Sequence, residues 1–351
     1  PSHPLALQDL VLTVPASFDE VARELTVLAA DQAGLDRITL LEEPQAAFYA
    51  WLWERQGRWR KELAGVRQIL VCDIGGGTSD FTVIRVGEEA LERVAVGEHL
   101  MLGGDNLDIA LAHLVEANLA GQLDLLQWGV LRHECRRAKE TLLGENPPES
   151  CTLTIPGSGA RLLGAARAAE LKRTEVEELV LEGFFPRVAL DEPLCAETRT
   201  GLREWGLPYA ADPAVPRHLA AFLRRHSLSP DAVLFNGGAC RPAAIRERLR
   251  GILQDWGGQA VRILENPASD LAVARGAAAF GWLKAHGRER IRGGIARSYY
   301  LGVGQDRTVC VIHRNQEEGE RVELREPELR LVVDRPVAFP LFAATDRPGD
   351  R

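Results

Sequence analysis

The segment Val71-Cys72-Asp73-Ile74-Gly75-Gly76-Gly77-Thr78-Ser79-Asp80 constrains this chain more than any other. The apolar run Ile69 to Ile74, broken only by Asp73, leads into it, and a second run from Phe81 to Val86 leaves it. Runs of this length and character read as buried strands. The three glycines between them therefore turn the chain back on itself as a β-hairpin. Glycine has no Cβ, so backbone N–H groups in such a turn can approach an anion, and Thr78 adds a hydroxyl donor. Asp73, at the end of the first strand, is placed to hold magnesium through its water shell. A strand follows the turn, not a helix, which argues against a Rossmann crossover. No Gly-Lys-Ser/Thr is present for a P-loop. Taken alone, the segment serves equally as a phosphate-gripping hairpin or as a plain glycine turn.

Two further glycine turns sit at element boundaries. Asn236-Gly237-Gly238 follows the apolar strand Ala232 to Phe235, and Gly103-Gly104 precedes Asp105, which is expected to cap a helix. Helix N-termini favour phosphates, although many strand-to-helix turns need glycine for positive φ alone. Three such turns are explained together by a nucleotide in a cleft. Glu42 and Glu43 precede a helix opening at Pro44, where carboxylates complement the helix dipole or orient water or a cation. Arg132, Arg136, Arg137 and Lys139 read as a solvated helix face.

Composition excludes several classes. The chain is acidic, with a formal net charge of -8 and 6% aromatic residues, so a non-specific nucleic-acid binder is not expected. The six cysteines are far apart and include no Cys-x-x-Cys pair, so they read as free, mostly buried thiols of a reducing cytoplasm. No apolar run approaches the roughly 20 residues that span a bilayer. The 351 residues exceed one ordinary core and read as two or more lobes. The chain starts at Pro1 and its single methionine is Met101, so it reads as a fragment whose natural beginning lies upstream.

Elsewhere, Leu10 to Val14, Ile38 to Leu41, Leu91 to Val96 and Cys151 to Ile155 are strand-like. Ser17 with Glu20 and Thr174 with Glu177 have capping-box spacing. Gly57 to Val66 reads as a loop or helix extension, and Asp270 to Ala285 as an alanine-rich helix. After Gly293-Gly294, strands are expected at Tyr299 to Val303, Thr308 to His313 and Leu329 to Val333. A boundary is placed there, giving residues 1–292 as one unit and 293–351 as a β-rich segment.

Taken in order, these segments resemble the nucleotide-binding domain of the heat-shock protein 70 (DnaK) chaperones, of the actin and sugar-kinase superfamily. Val11 to Phe18 resembles that family's "hydrophobic-T-V-P-A-x-F" segment, and Leu41 to Ala47 its "N-E-P-T-A-A" turn. Asp73 to Asp80 resembles "D-L-G-G-G-T-x-D", the second phosphate loop, and Leu102 to Asp108 resembles "L-G-G-x-D-x-D". Phe235 to Arg241 resembles the adenosine loop "V-G-G-S-T-R", and Asn266-Pro267 with Asp270 to Gly276 resembles "N-P-D-E-A-V-A-x-G-A-A". Lys139 matches an adenosine-contacting lysine, while Arg136, Glu140 and Leu143 replace the usual glutamate, arginine and serine. Residues 157–230 match poorly, and the usual acidic-hydrophobic interdomain linker is not recognisable. Residues 298–345 are loosely similar to the start of the peptide-binding β-domain.

The resemblance implies an α/β fold: a two-lobed actin-like ATPase domain with the ribonuclease H-like motif, lacking its first segment, followed by β-structure. It implies ATP or ADP, magnesium held through water, and a potassium ion as a further candidate. Gly75, Gly76, Gly77 and Thr78 would hold the phosphates. Asp73 would anchor magnesium, Asp80 would help with a cation, and Glu43 would orient the attacking water. Gly103, Gly104, Lys139, Gly237, Gly238, Arg241 and Asp270 would hold the nucleoside side, Arg241 by stacking on adenine. The implied activity is ATP hydrolysis coupled to binding of unfolded peptide or client protein, with a co-chaperone or nucleotide exchange factor as partner. The isolated 351 residues are expected to turn over poorly. Two rivals stand beside it: a non-catalytic actin-like scaffold, which the replaced adenosine contacts favour, and a small-molecule kinase of the same superfamily.

Overall fold

The computed structural model describes residues 4–16, 18–98, 100–119, 122–157, 166–195, 210–266, 269–288, 290–295, 297–304, 307–314, 316, 320–324 and 338–344. The expected strand at Leu329 to Val333 and the cap at Ser17 lie outside these residues.

The chain opens with β1 (Leu10–Val14), α1 (Glu20–Gln32), β2 (Ile38–Glu42), α2 (Glu43–Arg55) and the short α3 (Trp59–Glu62). Then come β3 (Gln68–Ile74), β4 (Ser79–Val86), β5 (Leu91–Val96), α4 (Gly104–Ala117) and α5 (Leu125–Leu142). The hairpin β6 (Ser150–Ile155) and β7 (Arg167–Lys172) leads to α6 (Arg173–Glu177), which runs on as a π-helical stretch to Phe184. The rest is α7 (Val215–Arg225), β8 (Ala232–Asn236), α8 (Ala243–Gly257), β9 (Arg262–Leu264), α9 (Ser269–Ala285), β10 (Ser298–Gly304), β11 (Arg307–Ile312) and β12 (Leu341–Ala344).

A five-stranded sheet in the order β5-β4-β3-β8-β9 organises the molecule. β3 pairs antiparallel with β4 and parallel with β8, and β8 pairs parallel with β9. Side chains alternate across a strand, and β3 uses both faces. Leu70, Cys72 and Ile74 enter a core shared with α4, α5 and α8, whereas Ile69 and Val71 enter a second core with α2 and α9. A strand buried on both sides must be apolar throughout, which is why Ile69 to Ile74 reads as one run. Asp73 is the exception, at the carboxyl end.

α2 and α9 cross in close contact through small residues. A Cβ on Gly276 would lie 1.7 Å from the Ala46 carbonyl oxygen, so no larger residue fits there. β1 and β2 form a separate two-stranded parallel sheet, and α1 beside it leaves Val21, Leu25 and Leu28 exposed. β10 pairs with both β11 and β12 in a three-stranded antiparallel sheet. That sheet touches α1, where the Tyr299 hydroxyl donates to Glu20 Oε1 at 2.8 Å.

Four local expectations are corrected. Asp105 lies inside α4, and Gly103 is the capping residue, with its N–H donating to Asn106 Oδ1 at 2.9 Å. The Thr174–Glu177 box is displaced by Lys172, whose N–H donates to Glu175 Oε2 at 2.8 Å. Asp19 caps α1, its carboxylate accepting from the Ala22 N–H. The stretch from Gly57 to Val66 contains α3 as a helix of its own.

Candidate functional site

The carboxyl ends of parallel strands are where open α/β sheets place ligands. Here the ends of β3, β8 and β2 bring Asp73, Asn236 and Glu42-Glu43, and two glycine turns leave β3 and β8. Register aligns Asn236, Asp73 and Asp80 as neighbours across β8, β3 and β4. All three are buried.

Asn236 Nδ2 donates to Asp73 Oδ2 at 2.9 Å, and Asn266 Nδ2 donates to Asn236 Oδ1 at 3.4 Å. Burial, with the Glu43 and Asp80 carboxylates nearby, pushes the Asp73 carboxyl up to about 7 although the Asn236 hydrogen bond opposes it. Burial first, and Asp80 second, also raises Glu43 above the usual carboxylate range. Asp73 and Glu43, both raised, form with Asp80 a crowded carboxylate site that a cation would relieve. Among the described residues no three His, Cys, Asp or Glu side chains close on one point as direct ligands. A cation here would therefore be held through its waters, which suits magnesium.

Ile74 pairs with Ser79, and the Gly75 N–H donates to the Thr78 carbonyl at 2.9 Å, closing the expected hairpin turn. Gly76 and Gly77 are exposed, and nothing lies within 4 Å of where a Cβ on Gly77 would be. The Thr78 hydroxyl has no partner among the described residues. The first N–H groups of α4 explain the turn's orientation: those of Gly104 and Asp105 donate to the Gly75 and Gly76 carbonyls at 2.9 and 2.8 Å. Helix N-termini leave such donors unpaired, and here they hold the hairpin carbonyls inward. A Cβ on Gly103 would stand 2.5 Å from the Gly76 oxygen, so this close contact needs glycine. Gly103 and Gly104 thus brace the Gly75–Thr78 hairpin.

Gly237 packs on the other side of Asp73. Its φ is +83°, and a Cβ there would lie 2.2 Å from the Ile74 oxygen and 2.7 Å from Asp73 Oδ1. Gly238 lies near Arg136, whose guanidinium would be 3.8 Å from an added Cβ. The open turn, the exposed glycine backbone and the carboxylate cluster beside them fit a magnesium nucleotide.

The nucleoside side differs from expectation in detail. Lys139 is buried and is corrected from the solvated face: its Nζ donates to Asp108 Oδ1 at 2.6 Å and to the Gly104 carbonyl at 3.4 Å. Burial holds the Asp108 carboxyl above its usual range even with Lys139 against it. Arg241 Nε donates to Asp270 Oδ1 at 3.1 Å, and both side chains are exposed. Arg136 and Glu140 are a loose pair at 3.6 Å. Glu42 is drawn off by Arg23 at 3.0 Å and Arg93 at 2.5 Å, while Glu43 joins the carboxylates. Asn236, Asn266 and Asp108 lie within the motifs read from the sequence but are given no role there. Asn236 carried a signal, as the last residue of a strand before two glycines.

No helix among the described residues is long and apolar enough to cross a membrane. A family model described as Hsp70 protein matches residues 5–190. Among curated proteins, the chain is similar to a chaperone protein HscA homolog of Acinetobacter baumannii (strain SDF), 32% identical over 53% of this chain and 34% of that protein. An HscA homolog of Acinetobacter baylyi is 37% identical over 38% of this chain and 21% of its own. That of Azotobacter vinelandii is 41% identical over 35% and 18%. The chain spans about a third of the length of the first of these relatives. The mixed α/β architecture is consistent with the Hsp70 actin-like ATPase fold. With the family model covering over half of the chain, including the glycine hairpin and the second glycine turn that braces it, the chain belongs to the Hsp70 protein family.

Proposed function

We propose that the chain carries the ATP-binding and ATP-hydrolysing function of a heat-shock protein 70-type chaperone acting on unfolded client polypeptides in the cytoplasm. A co-chaperone or nucleotide exchange factor would complete the cycle. One observation supports this reading most: the Gly75–Thr78 turn is held with its carbonyls inward on α4 and its outer face open, beside the buried carboxylates Asp73, Asp80 and Glu43.

In this reading the backbone of Gly75, Gly76 and Gly77 and the Thr78 hydroxyl donate to the β- and γ-phosphates, where charge develops during phosphoryl transfer. Bound magnesium would supply charge neutralisation at the transferring group. Asp73, positioned by Asn236, and Asp80 accept hydrogen bonds from the ion's water shell. Glu43, held near the others at the start of α2, orients the attacking water, and the burial that raises its proton affinity makes it a better proton acceptor than a solvated carboxylate. Gly237 and Gly238 bring backbone against the nucleoside, flanked by Arg241 and Asp270.

The test is calorimetric titration of the chain with Mg-ATP. Thr78→Val should weaken binding about ten- to a hundredfold, the range for one hydrogen bond to a charged group. Arg132→Ala, on an exposed helix face, should not change it. A Thr78→Val variant that titrates like the parent would count against the phosphate role. A second reading, a non-catalytic scaffold, is favoured by Lys139 being occupied with Asp108 and by the exchanged Arg136 and Glu140. It predicts no measurable Mg-ATP binding by the parent itself.

A further inference from the structure

A cavity of about 350 Å³ lies where the last turn of α2, the short α3, the start of β5 and the end of α9 meet. None of the carboxylates or glycines of the candidate nucleotide site lines it. Three of the chain's seven tryptophans do, Trp53, Trp59 and Trp282, together with Tyr49. Leu52, Leu91, Leu283 and Ile291 make up the aliphatic part of the wall. Among the described lining residues the one charged side chain is Arg290 and the one carboxamide is Gln56. A small concave space walled by rings, with a few polar groups at its edge, is the usual build of a small-molecule site.

A chain reversal builds this cavity. α2 ends at Gln56, which sits in the left-handed region at φ +40°, and Gly57 follows at φ +85°. Glutamine rarely adopts that conformation. Here the two left-handed residues turn the chain so that Trp53 on α2 and Trp59 on α3 face the same space. Arg60 ties α3 to the turn before β5 by donating to the Glu88 and Glu89 carbonyls, both at 3.2 Å. Its guanidinium lies 4.5 Å from the Trp59 ring centre. Trp282 is fixed by two neighbours: Trp53 meets it edge-on at 5.2 Å, and His286 stacks on it at 4.2 Å. The Tyr49 hydroxyl accepts from the Ile291 N–H at 3.0 Å. The rings are thus set by protein contacts, so a ligand meets them at little ordering cost. Trp53 and Trp282 are nonetheless 44% and 42% exposed, which is apolar ring surface that a flat ligand would remove from water.

We propose that this cavity binds a small, flat aromatic anion, a one- or two-ring carboxylate or sulfonate. Its ring system packs among Trp53, Trp59 and Trp282, where offset or edge-on ring contacts add to the gain from buried area. Its anionic group pairs with the Arg290 guanidinium, which is exposed at the cavity edge, and Gln56 at the same edge supplies an amide donor. Charge decides against a cation, although ring faces alone would attract one. Arg290 repels it, Arg60 already lies over Trp59, and no acidic side chain lines the cavity among the described residues. Shape decides against a flexible aliphatic acid, which loses rotamer freedom on binding and gains no ring contact.

Isothermal titration calorimetry of the full chain with naphthoate, in the absence of nucleotide, tests this. Saturable one-to-one binding is expected. Arg290→Gln should weaken it about tenfold, the lower end for a hydrogen bond to a charged group. Trp282→Leu should weaken it by about tenfold or more, with the parent's thermal melt, since that ring is partly exposed. Trp53→Leu makes the same test should Trp282→Leu melt early. Naphthylmethylammonium, which keeps the rings and reverses the charge, should not bind. Decanoate, which keeps the charge and lacks the rings, should bind about tenfold more weakly or worse. The proposal is overturned by no binding of naphthoate, or by parent-like binding in Arg290→Gln or in a folded tryptophan variant. Equal or tighter binding of the ammonium or of decanoate overturns it as well. No arm involves nucleotide, so failure here leaves the ATPase reading untouched.

Discussion

Replacing Asp73 with asparagine should stabilise the metal-free protein, and increasingly so as pH rises. Asp73 is 6% exposed, faces Glu43 and Asp80, and keeps its proton to about 7 instead of 3.8. The sign follows from linkage. A carboxyl whose folded value is raised holds its proton longer in the folded than in the unfolded state, so stability is lost as pH climbs between the two values. The loss is complete above about 7 and amounts to at most roughly 4 kcal/mol. Asparagine matches the shape and is never ionised. Its amide oxygen still accepts from Asn236 Nδ2, so the hydrogen bond of 2.9 Å survives. In urea unfolding with EDTA, the variant's advantage over the parent should grow by roughly 2–3 kcal/mol between about pH 5 and about pH 8. Magnesium added at the higher pH should stabilise the parent and not the variant. An advantage of the same size at both pH values would refute the reasoning, because it would mean that Asp73 is not a crowded, desolvated carboxylate.

Other perturbations probe the frame around the site. Gly276→Ala forces a methyl to within 1.7 Å of the Ala46 oxygen, so α2 and α9 must separate; a loss of about 3 kcal/mol is expected in thermal or urea melts. Arg93→Ala leaves the buried Glu42 with Arg23 alone and removes donors to the Gly293 and Gly294 carbonyls. The expected cost is about 3 kcal/mol in the same melts, with partial recovery in Arg93→Lys.

The hairpin was legible in sequence because its signal is local. Two buried runs flank three glycines, and no chain geometry other than a tight return satisfies that spacing. The same locality made β1, β2, β5 and β8 readable from their apolar runs. Helix starts were less secure, and for a common physical reason. Asp105 has the chemistry of a cap, but its own N–H and that of Gly104 donate to the Gly76 and Gly75 carbonyls as the first N–H groups of the helix, so the helix begins ahead of it and Gly103 is its capping residue. A tertiary acceptor outcompeted a local one. Lys172 with Glu175 likewise displaced the Thr174 box, two residues earlier than spacing suggested.

The carboxylate cluster needed register, which sequence does not carry. Asp73 meets Asp80 through the adjacent hairpin strand, but it meets Asn236 through a parallel pairing 163 residues away. That pairing also decides the cost of the site. A lone aspartate at a strand end would be solvated; flanked by β8 and β4 and covered by the Gly237 turn, it is desolvated and crowded. The two glycine turns are therefore not independent signals. Gly237 can lie over Asp73 only because it has no Cβ and accepts a φ of +83°, and its contact with the Ile74 carbonyl brings the start of the hairpin and the Gly237-Gly238 turn together. The metal-free fold is destabilised by this closeness, and the same closeness leaves carboxylates whose mutual repulsion a hydrated cation would relieve.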